Sequence, residues 1–192
     1  MTERIKIVDK REALLDATLH LVNNNGFHDA PMSKIAKTAG VSPGTIYLYF
    51  ENKQDLINQL YIEIKKSFSK YAFNNYKKQF PVKKGFEIIW YNIANYKLSN
   101  IEQAMFLAQC DNTPMVDELS QQEGLKHLQP LIDLLEKGKC EGIIKPKSNY
   151  LLYAFTIYPL AFLMTSQRQG NYQLEKDNLA ETFQIAWDAI KL

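Results

Sequence analysis

The stretch AGVSPGTIYLYFENK, Ala39 to Lys53, decides the fold. It opens on glycine, serine and proline, continues through Ile46-Tyr47-Leu48-Tyr49-Phe50, and ends in charge. Each residue type meets a local need. Gly40 supplies a left-handed turn residue. Val41 plugs the gap between two helices. Ser42 can accept from the free N–H groups of the next helix, and Pro43 at the first helical position loses no hydrogen bond. Gly44 is the odd choice, because glycine in a helix costs roughly 1 kcal/mol relative to alanine. A close approach by another backbone would justify it. The spacing predicts a helix running to about Phe50. At about 3.6 residues per turn, Ile46 and Phe50 share one face, with Tyr49 at its edge. Gly44, Thr45 and Leu48 fall on the opposite side and Tyr47 on a flank. The run is therefore half core. Its other half offers small, hydroxyl and apolar groups suited to thymine methyls, base edges or phosphate oxygens.

Working outward, the periodicity is helical almost everywhere. Asp9-Lys10-Arg11-Glu12 has the form of a capping box, and Leu14, Ala17, Leu21 and Phe27 set an inward stripe. Asn23-Asn24-Asn25-Gly26 stops that helix. Pro31 opens a second short helix, where the small Ala36 lets two helices cross closely. Two short helices joined by a tight turn are the layout of a helix-turn-helix, whose second helix lies in the DNA major groove. Asn52 caps a long fourth helix with an apolar stripe at Leu56, Ile57, Leu60, Tyr61, Ile64, Phe68 and Tyr71. Helices are then expected around Phe86–Ile93, Glu102–Cys110, Leu119–Leu135, Tyr150–Met164 and Leu179–Ile190. The expected fold is all-α with about nine helices: a three-helix helix-turn-helix domain followed by a helical bundle.

Composition bounds the function. The 192 residues carry a net charge of only +2, so a nucleic-acid partner must be argued from local placement. Arg4, Lys6, Lys10, Arg11, Lys34 and Lys37 supply that local charge, and Lys53 sits where a phosphate contact is geometrically easy. Cys110 and Cys140 form no CxxC pair, which predicts a reduced cytoplasmic chain with buried, inert thiols. The charged N-terminus has no apolar signal core. The segment Tyr150–Met164 falls short of the roughly 20 apolar residues of a membrane span. His20, His28 and His127 are scattered without metal-ligand spacing, and no catalytic or phosphate-loop motif occurs. No metal, cofactor or enzymatic activity is expected.

The segment IAKTAGVSPGTIYLYFENKQDLI, Ile35 to Ile57, resembles the DNA-binding signature of the TetR/AcrR family of bacterial transcriptional regulators. Ala36, Gly40-Val41-Ser42, Gly44-Thr45, Tyr47, Tyr49-Phe50, Lys53 and Leu56 fall in register. The resemblance implies an all-helical homodimer with a DNA-binding domain over residues 1–54 and an effector-binding and dimerisation domain over 55–192. It implies a repressor released from a near-palindromic double-stranded operator by a small molecule. By position, the reading helix falls on Ser42, Pro43, Gly44, Thr45, Tyr47, Leu48 and Tyr49, with phosphate contacts from Tyr47 and Lys53. The family often has Ser or Thr just before helix two; this chain has Ala30-Pro31, leaving Asp29 or Ser33 to substitute. The main alternative is a constitutive regulator whose second domain serves dimerisation or a protein partner alone.

An apolar or amphipathic effector needs an apolar pocket with a few polar anchors. Phe68, Trp90, Tyr91, Met105, Phe106 and Phe155 are the expected lining, with Gln109 as anchor; Tyr96, Met115, Tyr153, His127 and Thr156 stand behind them. Tyr158, Phe162, Phe183 and Trp187 are the expected dimer contacts. Pro159 is expected to kink its helix.

Overall fold

The computed structural model describes residues 9–173 and 176–192; Arg4 and Lys6 lie outside them. Eleven helical segments follow one another among these residues: α1 (Lys10–Asn25), α2 (Met32–Thr38), α3 (Pro43–Ile46), α4 (Lys53–Ala72), α5 (Val82–Ser99), α6 (Ile101–Asn112), α7 (Glu118–Lys126), α8 (Gln129–Cys140), α9 (Asn149–Thr156), α10 (Pro159–Arg168) and α11 (Lys176–Ile190). The β-pairing among the described residues is an isolated bridge, Ile144 to Lys191.

The count exceeds the expected nine because two segments divide. The Leu119–Leu135 segment breaks at His127–Leu128, and Pro130 stands at the start of α8. The apolar segment breaks before Pro159, which opens α10. The Tyr153 carbonyl accepts from both Ile157 N at 3.0 Å and Tyr158 N at 3.1 Å. That shared acceptor closes α9 where proline cannot donate.

Asp9 caps α1 by accepting from Arg11 N at 2.9 Å. Gly26 and Gly40 take φ of 81° and 69°, the left-handed region where a Cβ is strained. Asn52 caps α4 by accepting from Asp55 N at 2.9 Å, and Asp55 returns the contact to Glu51 N at 2.9 Å.

Two apolar clusters hold the chain together. The first joins α1, α2, Ile46 and Phe50 to Leu56, Ile57, Leu60, Tyr61 and Ile64 of α4. It also takes in Phe106, Leu107, Cys110, Met115 and Val116. The second joins Phe68 and Ala72 of α4 to α5, α8, α9 and α11. The first core thus does not end at residue 54: it extends along α4 to Ile64, and α6 docks on α1. Asn23 donates to the Glu102 carbonyl and Gln109 to Asn23, each at 2.9 Å. Helix α4 belongs to both cores, which makes it the mechanical link between them.

Cys110 is buried, and its thiol is pushed up to about 12 by burial first and then by Asp111. Cys140 departs from expectation and is exposed. No described helix is long and apolar enough to cross a membrane.

Candidate nucleic-acid interface and effector cavity

The run after Ser42 folds differently from a single helix. Helix α3 covers Pro43–Ile46 alone, and residues 47–49 form a turn. Leu48 N bonds the Thr45 carbonyl and Tyr49 N the Ile46 carbonyl, each at 3.1 Å. These three-residue bonds tighten the coil and deliver Phe50 to the core at 1% exposure, beside Ile46 at 0%. Held by that spine, Tyr47 and Leu48 stand 58% and 82% exposed, and Tyr49 lies at the margin. Ser42, Pro43 and Gly44 are exposed and Thr45 is partly so.

Three of the expected side chains are engaged within the chain. Ser42 makes no cap hydrogen bond to α3; its hydroxyl pairs with Thr45 Oγ1 at 2.8 Å. Lys53 is not a free cation. Its ammonium donates to the Phe27 carbonyl, lies 3.4 Å from that of His28 and sits 4.3 Å over the Phe27 ring. Burial lowers its pKa and Asp29 opposes that. Arg11 faces inward, pairing with Glu63, donating to Gln59 Oε1 at 2.7 Å and lying over Phe50. Lys10, Lys34 and Lys37 remain exposed. Pro31 precedes α2 with no side-chain cap, while Ser33 and Asp29 are exposed beside it. A Cβ placed on Gly44 would meet nothing within 4 Å, so no neighbour in this chain requires the glycine.

The second feature is a cavity of about 550 Å³ between α4, α6, α7, α8 and α9. Leu125, Leu128, Leu131, Ile132, Leu135 and Ala154 form its apolar wall. Lys65, Asp111, Asn149, Tyr150, Tyr153 and Tyr158 supply polar atoms. The volume falls in the usual range for small-molecule sites.

None of the seven residues expected to line a pocket lines this one. Phe68 and Trp90 are buried in the second core, where Trp90 Nε1 donates to the Thr156 carbonyl at 3.0 Å. Tyr91 packs against Phe183. Phe106 is buried in the first core, Met105 lies partly buried on α6, and Gln109 is engaged by Asn23. Phe155 is exposed. Of the weaker candidates, Tyr153 lines the cavity, Thr156 is satisfied by the Leu152 carbonyl, and His127 Nε2 is buried without a partner. The aromatic spacing marked core, not pocket.

The expected dimer contacts divide likewise. Phe183 and Trp187 turn inward onto Phe86, and Phe183 also meets Trp90. Tyr158 and Phe162 are exposed.

Sequence reasoning passed over Lys65, Lys97 and Asp111. The first two carried a readable signal. Lys65 lies four residues after Tyr61 and three before Phe68; Lys97 lies four after Ile93. Both lysines occupy the inward stripes of their helices.

Residues 14–60 match the family described as bacterial regulatory proteins, tetR family, and residues 81–191 match the tetracyclin repressor-like C-terminal domain. An uncharacterized HTH-type transcriptional regulator of Haemophilus influenzae is 24% identical over 184 residues, 95% of this chain and 96% of that one. The fatty acid metabolism regulator protein of Bacillus subtilis is 50% identical over 50 residues, a match confined to 26% of each chain. Among solved structures, a TetR family transcription regulator from Marinobacter aquaeolei superposes with a TM-score of 0.88 at 26% identity, covering 95% of each chain. FadR from Bacillus subtilis, solved in complex with stearoyl-CoA, shares the fold with a TM-score of 0.69 at 22% identity, over 91% of this chain and 95% of that one. The C-terminal match alone spans more than half of the sequence and the N-terminal match covers α2, α3 and the turn after it, so the chain belongs to the TetR family of DNA-binding transcriptional regulators.

Proposed function

We propose that the chain is a dimeric repressor, acting in the cytoplasm as a regulator and not as an enzyme, that leaves its operator when a small molecule fills the α4–α9 cavity. The observation that carries the DNA reading is the pairing of a buried spine, Ile46 and Phe50, with Tyr47 and Leu48 held out in solvent. Two such elements enter successive major grooves roughly 34–36 Å apart on a near-palindromic site. Ser42, Thr45 and Tyr47 offer hydroxyls to phosphates, and Ser33 does so from α2. Pro43, Leu48 and Tyr49 offer apolar contact to base edges. Gly44 leaves room for the DNA backbone, since nothing in its own chain fills that space. Lys53 braces the start of α4 against the loop before α2 and sets the distance from the reading element to the first core.

The homodimer forms through exposed apolar side chains of the last helices. Phe155, Tyr158, Phe162 and Ile185 are exposed there and take the places first given to Phe183 and Trp187. The cavity favours an effector-responsive regulator over a constitutive one, because its volume is that of a ligand site. The stearoyl-CoA complex of a protein with this fold lends support to an amphipathic effector. Such an effector acts by preferring the conformation whose reading elements are wrongly spaced, with α4 as the lever shared by both cores.

The test is Tyr47→Ala on an operator selected from random duplex DNA. The variant is expected to keep its melting temperature and dimeric state. It loses about tenfold in affinity for every sequence with an unchanged salt slope, as befits an uncharged phosphate contact. Wild-type affinity in the variant counts against the assignment.

A further inference from the structure

Lys65 is 7% exposed and lines the cavity. Among the described residues its ammonium has no hydrogen bond and no ion pair; the Tyr61 ring lies 5.2 Å away. Lys97 is likewise without a hydrogen bond or ion pair, within electrostatic reach of both Lys65 and Asp111. Burial lowers the pKa of both lysines, and Asp111 opposes this in each case. Asp111 also lines the cavity. Burial first and then Asp111 raise the pKa of Tyr61, Cys110 and Tyr153, so these three stay neutral at physiological pH. Both lysines lie within the field of one carboxylate, the exposed Asp111, and of the two it is the buried Lys65 that lines the apolar wall, with its positive charge unpaired. Buried charges are costly unless paired, and among the described residues Asp111 is the one carboxylate that lines the cavity.

We infer that the cavity takes an amphipathic monoanion, a fatty carboxylate being the simplest, whose head is held by Lys65 within the field of Lys97 while its tail lies on Leu128, Leu131, Ile132 and Leu135. The inference rests on the reading of this cavity as the effector site and adds the chemistry that the site selects. A single negative charge completes the balance with Asp111. A dianion overshoots it, a neutral alcohol leaves the ammonium groups unpaired, and an amine adds to the repulsion.

The experiment titrates decanoate, decyl phosphate, decanol and decylamine into the full chain by calorimetry, at concentrations below micelle formation. Decanoate is expected to bind at least about tenfold more tightly than decanol, the value of a charge-assisted hydrogen bond. Decyl phosphate binds more weakly than decanoate, and decylamine does not bind. Lys65→Met keeps the aliphatic stem, so the ligand-free variant should melt no lower than wild type. It is expected to lose that tenfold for decanoate and nothing for decanol. Lys65→Gln serves should the methionine variant fail to fold. Equal affinity of the wild-type chain for decanoate and decanol overturns the inference without any variant, as does undiminished decanoate binding by folded Lys65→Met. Operator binding measured on the same samples separates the two readings. Operator binding with no preference for decanoate sinks the monoanion alone. Preferential decanoate binding that leaves operator affinity unchanged supports the site and sinks its role as effector site.

Discussion

In the turn after α3, apolar side chains are held out in solvent; in the cavity between α4 and α8, an ammonium group is held in. Tyr47 and Leu48 stand exposed on a spine of Ile46 and Phe50, whereas Lys65 is buried among leucines with no ion pair among the described residues. Folding alone rewards neither arrangement. An exposed leucine contributes no burial, and a buried lysine pays desolvation. Departures from the burial rule that nothing local repays are where a partner is expected to complete the structure. The sign of the departure names the partner's chemistry: exposed apolar and hydroxyl groups suit the floor of a DNA groove, and a hidden positive charge suits an anion.

The comparison breaks most severely at the spine. Ile46→Asp places a charge where exposure is 0% and should cost more than about 3 kcal/mol. It collapses the first core, seen as a lost or lowered melting transition, and abolishes operator binding. Leu48→Ala, two residues on, should leave melting within about 0.5 kcal/mol of wild type. It should weaken the specific operator about three- to tenfold with non-specific DNA binding unchanged, as loss of an apolar base contact does. A fall in stability from Leu48→Ala that matches Ile46→Asp erases the distinction between spine and reading face.

The smallest effect sharpens the other region. Lys97 is pushed down to about 8 from its ordinary 10.5, by burial first, with Asp111 opposing and Lys65 reinforcing. Below about 8 it is charged in both the folded and the unfolded chain, and the burial cost is fully present. Between about 8 and 10.5 the unfolded chain binds the extra proton, so stability from this group rises with pH; above 10.5 the cost is gone. Lys65, also lowered, acts in the same direction, whereas the raised Cys110, Tyr61 and Tyr153 oppose it once pH passes their ordinary values of 9.0 and 10.0, an opposition that both proteins of the next comparison share. Chemical denaturation of wild type against Lys97→Met should show a gap in stability at pH 7 that narrows above about 8. A gap that does not change with pH removes Lys97 from the charge cluster. Decanoate affinity should fall over the same range as the ammonium is lost.

Much of the reading element was legible in the sequence because its signals are local. Gly40, Pro43, Ile46 and Phe50 are fixed by turn chemistry and by a short helical repeat, and the left-handed Gly26 and Gly40 stand where punctuation put them. Its details were less so. The tightening after Ile46 depends on Phe50 reaching the core of other helices, and the Lys53 ammonium finds the Phe27 carbonyl only after α4 folds back on the loop before α2. The second domain was legible as helices but not as a site. Trp90, Phe183 and Trp187 read as pocket or dimer residues because apolar periodicity marks an inward face without saying what lies opposite it. Here Trp90 lies opposite Phe183, and Trp187 opposite Phe86. The residues that did break the pattern, Lys65 and Lys97, were hidden in plain stripes of apolar neighbours. Asp111 carries no such mark, since only the docking of α6 onto α1 and α4 brings it to the cavity.

Both regions meet in α4, whose Leu56–Ile64 stretch lies in the first core and whose Phe68 and Ala72 lie in the second. Coupling between two sites is reciprocal: a ligand that weakens DNA binding must itself bind less tightly to the DNA complex, by the same factor. The decisive measurement is therefore the decanoate affinity of the full chain free and saturated with its operator at one salt concentration. A loss of about 5- to 150-fold on the operator complex, absent in Lys65→Met, is the expected result. Equal affinity with and without operator contradicts it.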